Sequence, residues 1–374
     1  MDIEKLLSES VALLREIIAI PSPTFEEEKV CSHIAGFLDS KGLKYERIAN
    51  SLIVRRADHD PARQTLMLCA HCDTVNPADG YSFDPYNPAA ADVAAAFDLA
   101  SLDADSYDDI IAGLGSNDDG GCIVSMIAAF RALLDKSFPF NIELVISSEE
   151  ERSGSGGMAL IHPKNVNPTW AIVGEPTGMK PATSERGLLV LDGLAEGVTC
   201  HAARAEEGRN ALYIAMDDIA KLRAHKFERV SPVMGEVKMN VTQINAGSAH
   251  NVIPGTCSFV VDIRPTEQYS NPELLEELQG ICESKLTARN LKNRSSATPK
   301  SSMLMAVIGL LGLEQFSSPT TSDWVRIYCE AVKMGPGDSR RSHHKDEYVT
   351  VNELRKGIEG YISFITCLAE VYSD

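Results

Sequence analysis

Three apolar runs in this chain end on residues that can bind metal or move protons. Leu66-Met67-Leu68-Cys69-Ala70 leads into His71-Cys72-Asp73, Leu144-Val145-Ile146-Ser147-Ser148 into Glu149-Glu150-Glu151, and Ala171-Ile172-Val173-Gly174 into Glu175. Ligands of open α/β sheets bind at the carboxyl ends of strands, so parallel pairing of these runs would gather His71, the glutamate triplet and Glu175 at one sheet edge. Two further elements carry the same residue types: the glycine-lined loop Gly113-Leu114-Gly115-Ser116-Asn117-Asp118-Asp119 and the distant loop Ser342-His343-His344-Lys345-Asp346-Glu347. Histidines and carboxylates without cysteine form a mixed N/O donor set, which suits zinc, cobalt or manganese better than a thiolate structural site does. A dimetal centre about 3.5–4 Å across polarises a carbonyl and supplies a nucleophilic hydroxide, while a neighbouring carboxylate moves the proton. The chemistry is amide or ester hydrolysis.

Taken singly, each signal has an ordinary structural explanation. A histidine after a strand is commonly a hydrogen-bonded structural residue, and an acidic run such as Glu26-Glu27-Glu28 is a solvated face. Together, carboxylates massed at one sheet edge repel one another unless cations neutralise them, and this favours metal. Other schemes lack their residues. Gly154-Ser155-Gly156 does not complete a G-x-S-x-G elbow, Gly113-Leu114-Gly115 lacks the third glycine of a dinucleotide fingerprint, and neither H-E-x-x-H nor a phosphate-binding G-x-x-x-x-G-K-[ST] loop occurs.

The elements that must position these residues alternate. A helical stripe runs from Ile3 to Ile18 and stops before Pro21, and a second helix is expected after the capping-box spacing Thr24-x-x-Glu27, closing at Gly42. Strand-like runs at 52–54, 65–70, 142–147 and 170–173 are separated by helical patterns, which predicts a largely parallel α/β sheet. From Gly187 the texture becomes α+β, with strands at 187–194, 237–244 and 258–264 and helices at 210–222 and 272–286, before the first texture resumes at 306–313. A second domain is therefore expected within the first, as 180–289 inside a discontinuous 1–179 and 290–374. Residues 88–111, rich in Ala and Asp, read as an acidic surface insertion or loop with partial helix.

The chain has 374 residues, 44% hydrophobic and 24% charged, which is the balance of a globular protein with enough length for two cores. Lys+Arg 35 against Asp+Glu 53 leaves a net charge of −18, a surface that repels nucleic acid and anionic membranes. The acidic start, the lack of an apolar run of about 18 residues and nine scattered cysteines predict a cytoplasmic protein with reduced thiols and no membrane partner. The Cys69-x-x-Cys72 pair lacks the second half of a zinc knuckle.

With these motifs in order, the sequence resembles the co-catalytic zinc aminoacylases and deacylases, the family of acetylornithine deacetylase, succinyl-diaminopimelate desuccinylase and glutamate-type carboxypeptidases. His71-Cys-Asp73-Thr-Val matches the family's H-x-D-T-V, Gly113 to Asp118 its G-x-G-x-x-D, Glu149-Glu150-Glu151 its D-E-E, and Gly174-Glu175-Pro-Thr its G-E-P-[ST]. Gly335-Pro-Gly-Asp338 with His343 and Asp346-Glu347 matches the final element, while Asn251-Val-Ile-Pro254 and Asp262-x-Arg264 match the inserted domain.

The resemblance implies a zinc-peptidase-like catalytic domain with an inserted lid and dimerisation domain, a homodimer, and two divalent ions, zinc with cobalt or manganese as alternatives. His71 and Glu175 would hold one ion, Glu151 and His343 the other, and Asp118 would bridge them. Asp73 would orient His71 and Glu150 would be the general base. His201 would stabilise the oxyanion in a neighbouring subunit's site, with Arg264 and Asn251 contacting the substrate carboxylate. A register one residue earlier would make Glu149 the base and Glu150 the ligand; the later register keeps 144–148 as strand. His344 is an alternative to His343. The segment 320–324 and the Gly-Pro-Gly-Asp loop look most like the acetylornithine deacetylase branch, so the substrate implied is a small N-acyl amino acid, first N-acetylornithine. The alternatives are other deacylase substrates, dipeptides, or a fold retained for binding alone.

Overall fold

A computed structural model describes residues 2–373; Met1 and Asp374 lie outside them. Two compact units emerge. One runs from the start of the described chain to Thr183 and takes in Thr298–Phe316 and everything from Ser322; the other comprises Ser184–Ala297 and Ser317–Thr321.

The first unit opens with α1 (Ile3–Ile18), α2 (Glu28–Ser40), β1 (Tyr45–Ile48), β2 (Ser51–Arg55) and β3 (Thr65–His71). After α3 (Ala90–Ala96) and β4 (Ile110–Ala112) come α4 (Gly121–Ala132), β5 (Asn141–Ser147), the single turn α5 (Met158–Ile161), β6 (Trp170–Val173) and β7 (Ala182–Glu185), which enters the second unit. That unit holds β8 (Leu189–Glu196), β9 (Cys200–His201), α6 (Ala211–Ala224), β10 (Lys238–Ala246), β11 (Val252–Ile253), β12 (Thr256–Arg264), α7 (Asn271–Ile281), β13 (Lys285–Ala288) and β14 (Ser296–Ala297). The chain then adds α8 (Met303–Leu310), β15 (Phe316–Ser318), β16 (Glu330–Lys333), β17 (Tyr348–Thr350) and α9 (Val351–Ser373).

The centre of the large sheet is parallel, in the order β5, β3, β6, β16, and its flanks are antiparallel. The sheet is thus parallel where the site residues leave it and mixed elsewhere. Parallel strands covered on both faces read as continuous apolar runs, and β3 and β5 are buried at every position. Alternation sorts their side chains. Leu66, Leu68 and Ala70 pack with α1, α2, α4 and α9, whereas Met67 and Cys69 pack with Met158, Ile161, Trp324 and Ile327 on the other face.

Two expectations change, and a third gains detail. Thr24 does not cap α2, whose N-cap is Glu27 without a side-chain bond; its hydroxyl donates to Asp73 instead. The helix expected over 272–286 ends at Ile281, and Leu286 is buried in β13 against β8. An apolar residue at that spacing serves either structure, and long-range pairing decides. Residues 88–111 fold into α3, two 3₁₀ turns and β4, with Val93 and Ile110 in a small apolar cluster beside Phe83 and Ala112.

All nine cysteines are free thiols. Among the described residues, no helix is long and apolar enough to cross a membrane.

In the second unit a four-stranded antiparallel sheet, ordered β10, β12, β8, β13, packs its inner face on α6 and α7. Asp218 of α6 locks the turn after α7, because its buried carboxylate accepts from the N–H groups of Glu283 and Ser284. Burial opposes its ionised form, but Lys221 and these donors prevail and hold its pKa below the ordinary carboxylate value. A lowered folded pKa contributes stability above the unfolded value of about 4, and this stability is lost as pH falls through the folded value. Asp218→Asn is expected to cost about 1–3 kcal/mol at neutral pH and to flatten the acid limb of urea-unfolding curves. Equal losses at pH 7 and pH 3 would remove the carboxylate from this role.

Candidate metal centre

The register of the parallel strands levels their ends. His71 pairs with Ser147 and Cys69 with Val173, so His71, the Glu149–Glu151 turn and Glu175 leave the sheet side by side. Donor atoms of His71, Asp118 and Glu151 lie within 4.8 Å of one another, as do those of His71, Glu150 and Glu175. His71 Nε2 stands 3.1 Å from Asp118 Oδ1. His343 Nε2 stands 2.9 Å from Glu151 Oε2 and 3.9 Å from Asp118 Oδ2. Asp118 therefore turns one oxygen to each histidine.

Asp73 organises this cluster from beneath. Fully buried, its Oδ1 accepts from the backbone N–H of Glu150 (3.0 Å), and its Oδ2 from that of Glu151 (3.1 Å) and from the Thr24 hydroxyl (2.8 Å). The Asp73 backbone carbonyl lies 3.0 Å from His71 Nδ1, with the carboxylate farther off at 3.6 Å. A carbonyl only accepts, so Nδ1 carries a proton; Nε2 donates to the Asp118 carboxylate and is the ring atom left for a cation once that proton is lost. The orienting contact is thus made chiefly by Asp73's main chain, while its side chain fixes the glutamates.

Glu347 does the same for the Asp118 loop. Its carboxylate accepts from the N–H groups of Gly115 (3.1 Å), Asn117 (2.9 Å) and Asp118 (2.8 Å). Asn117 ties that loop to Asp338, accepting from its N–H at 2.9 Å. Gly337, at φ +88°, passes so close to the Asn117 side chain that a Cβ there would overlap it. The peptide between Asp118 and Asp119 is cis. Asp119 accepts from the His71 N–H, and its other oxygen is buried without a hydrogen-bond partner.

Glu149 turns away at φ +59°, with its carboxylate on the Gly156 N–H at 2.7 Å, which leaves Glu150 and Glu151 facing the cluster. His344 contributes only a backbone carbonyl, to the Tyr81 hydroxyl. In the second unit, His201 and Asn251 lie together where β9 pairs with β11, and the His201 ring accepts from the Ala203 N–H. Arg264 of β12 is held by Asp262 at 2.8 and 3.1 Å. Sequence reasoning missed Thr24, Asp119, Asp323 (on Ser147) and Lys333, whose Nζ lies 3.7 Å from Glu175. Their only signal was proximity to motifs already marked, because their partners are remote in the chain.

Comparison with known proteins follows this division. Residues 183–290 match the model described as "Peptidase dimerisation domain", and residues 51–174 match "Peptidase family M28". Acetylornithine deacetylase of Myxococcus xanthus is 27% identical over 348 residues, 85% of this chain and 83% of that protein. A peptidase M20 domain-containing protein of Schizosaccharomyces pombe is 26% identical, covering 94% of this chain and 82% of that protein. The chain is thus similar to M20 metallopeptidases and deacylases along most of its length. Among solved structures, the aminopeptidase PepT of Bacillus cereus shares the fold at TM-score 0.74 and 18% identity over 99% of both chains. The M20 metallo-carboxypeptidase Sso-CP2 of Sulfolobus solfataricus does so at TM-score 0.71 and 17% identity, over 99% of this chain and 100% of that one.

The electrostatics of this cluster call for cations. Burial pushes the Glu150 carboxyl well above its usual range, with Glu175 and Glu151 adding to the effect against His71. Burial likewise raises Glu175 to about 7, opposed by Lys333 and reinforced by Asp118. His343 rises to about 9, chiefly through its bond to Glu151. At Asp118 burial is outweighed by the His71 bond, and its pKa falls. Two imidazoles and clustered carboxylates without a thiolate fit zinc, cobalt or manganese, whose charge replaces the protons these groups otherwise retain.

Metal affinity should therefore rise with pH between 6 and 8, because Glu175 and His343 must give up protons to bind. Calorimetry in buffers of different ionisation enthalpy should detect net proton release, and a pH-independent affinity would contradict the electrostatics. Asp73→Ala leaves donors of Thr24, Glu150 and Glu151 unpaired and should weaken metal binding about 10–100-fold in chelator competition, with Asp73→Asn less affected.

Proposed function

We propose that this chain hydrolyses the N-acyl amide of a small amino acid, with N-acetyl-L-ornithine the first candidate, releasing acetate and ornithine. The observation that carries this reading is Asp118 with one oxygen toward His71 and the other toward His343, the disposition of a carboxylate shared by two cations. His71 and Glu175 would hold one ion, and Glu151 and His343 the other. Zinc, or cobalt or manganese, bound there polarises the amide carbonyl and makes water acidic.

The chain's own residues do the rest. Glu150, whose carboxylate makes no hydrogen bond among the described residues, is free to take the proton of the attacking water and return it to the leaving amine. Its burial-raised affinity for a proton suits it to both steps. Asp73 keeps Glu150 and Glu151 in register with His71. His201 as an oxyanion contact, and Asn251 and Arg264 as carboxylate contacts, belong to the same proposal. For Arg264 it requires that the guanidinium share itself between Asp262 and substrate.

The acetylornithine deacetylase relatives support the choice of substrate, as does the segment Thr320-Thr321-Ser322-Asp323-Trp324. A homodimer is part of the reading. It is supported by the match to a dimerisation domain and by the exposed Tyr213 and Met216 of α6 and Ile244 of the edge strand β10.

N-acetylornithine, N-succinylornithine, N-acetylcitrulline and succinyl-diaminopimelate, assayed beside a dipeptide panel with and without chelator, test the proposal. Chelator-sensitive turnover of an N-acyl amino acid is expected, and turnover of dipeptides alone would make the protein a peptidase. Glu150→Gln should keep two bound ions by metal analysis while kcat drops about 10²–10⁴-fold. Loss of metal in that variant would make Glu150 a ligand.

A further inference from the structure

Residues 88–111 take no part in the metal centre, yet they are firmly built. A capping box between Ser106 and Asp109 shapes one turn, Arg15 of α1 donates to the Asp108 carbonyl at 2.8 Å, and Asp103 pairs with Lys356 of α9 at 2.6 Å. Phe97 stacks edgewise on Tyr348 at 4.7 Å between centroids. Between this segment and α1 lies a cavity of about 260 Å³. Its base is apolar, made by Ile18, Val93 and Ile110, and its mouth carries Tyr86, Asn87 and Tyr107.

Among the described residues, Arg15 is the only cation lining the cavity and Asp108 the only carboxylate. Apart from the Asp108 carbonyl, the Arg15 guanidinium has no partner among the described residues, so most of its N–H donors are available to a ligand. A guanidinium fork matches a carboxylate bidentately, and a nearby carboxylate matches an ammonium. The volume is below the about 300–1,000 Å³ typical of sites for drug-sized ligands and suits a molecule of amino-acid size.

We propose that this cavity is a second small-molecule site, separate from the metal centre, which binds a free α-amino acid with an apolar side chain. The carboxylate sits on Arg15, the ammonium faces Asp108, and the side chain rests on Ile18, Val93 and Ile110. Negative charge elsewhere in the insertion, from Asp92, Asp98 and Asp105, disfavours a ligand that is only an anion.

Ligand-observed NMR on the zinc-loaded full chain tests the assignment with L-leucine, with isoamylamine, which lacks the carboxylate, and with 4-methylpentanoate, which lacks the amine. L-Leucine should bind, and each analogue should bind at least about tenfold more weakly. Arg15→Met should weaken L-leucine about tenfold, and Ala90→Trp, which plugs the cavity from its exposed rim, should abolish binding. Both variants should retain wild-type Tm and metal content. Absence of L-leucine binding, equal binding of the analogues, or binding unchanged in Arg15→Met and Ala90→Trp would each overturn the proposal. The last outcome would place the ligand at the metal centre.

Discussion

Negative charge held out of water at the end of a parallel sheet is the constraint on which this structure turns. Asp118 and Glu151 crowd one side of His71 and Glu150 and Glu175 the other, and among the described residues their repulsion is met by His71, His343 and Lys333. Without further positive charge the cluster keeps protons, as Glu175 does at about 7. Divalent cations would relieve both burial and repulsion, so the same feature that would destabilise the fold alone suits the cluster to hold metal.

The site is held by main chain as much as by side chain. Asp73 and Glu347 are buried carboxylates that touch no proposed substrate position; each accepts several backbone N–H groups and so fixes a turn carrying reactive residues. Burial pushes Glu347 up to about 8 while those donors pull it down, and a carboxylate in that balance depends on every one of its partners. Function here rests on two loops whose shapes are enforced by acids from elsewhere in the chain.

The insertion obeys the same economy of support. Its apolar residues are too few for a core of their own, so Val93 and Ile110 pack beside Phe83 while polar ties to α1 and α9 hold its edges. What remains between it and α1 is a walled space whose lining includes Arg15 and Asp108.

Much of the fold is legible in sequence because burial writes it locally. Runs such as 66–70 and 144–146 are apolar throughout, since strands covered on both faces have no wet side, and the polar residues that end them mark the sheet edge. Thr24 shows the limit: the capping-box spacing was present, but a buried carboxylate nearly fifty residues away was the stronger partner. Leu286 fits a helix stripe equally well and became strand because β8 offered it a ladder. The orientation of the glutamate triplet was likewise undecided by composition, and the left-handed turn at Glu149, closed by Gly156, selected which two face the cluster. Sequence alone determined the donor types, their order and the strands that deliver them, because those follow from short-range pattern. Only the tertiary structure decided which oxygen of Asp118 meets which histidine and which acids serve as supports, because those are contacts between segments that no local periodicity encodes.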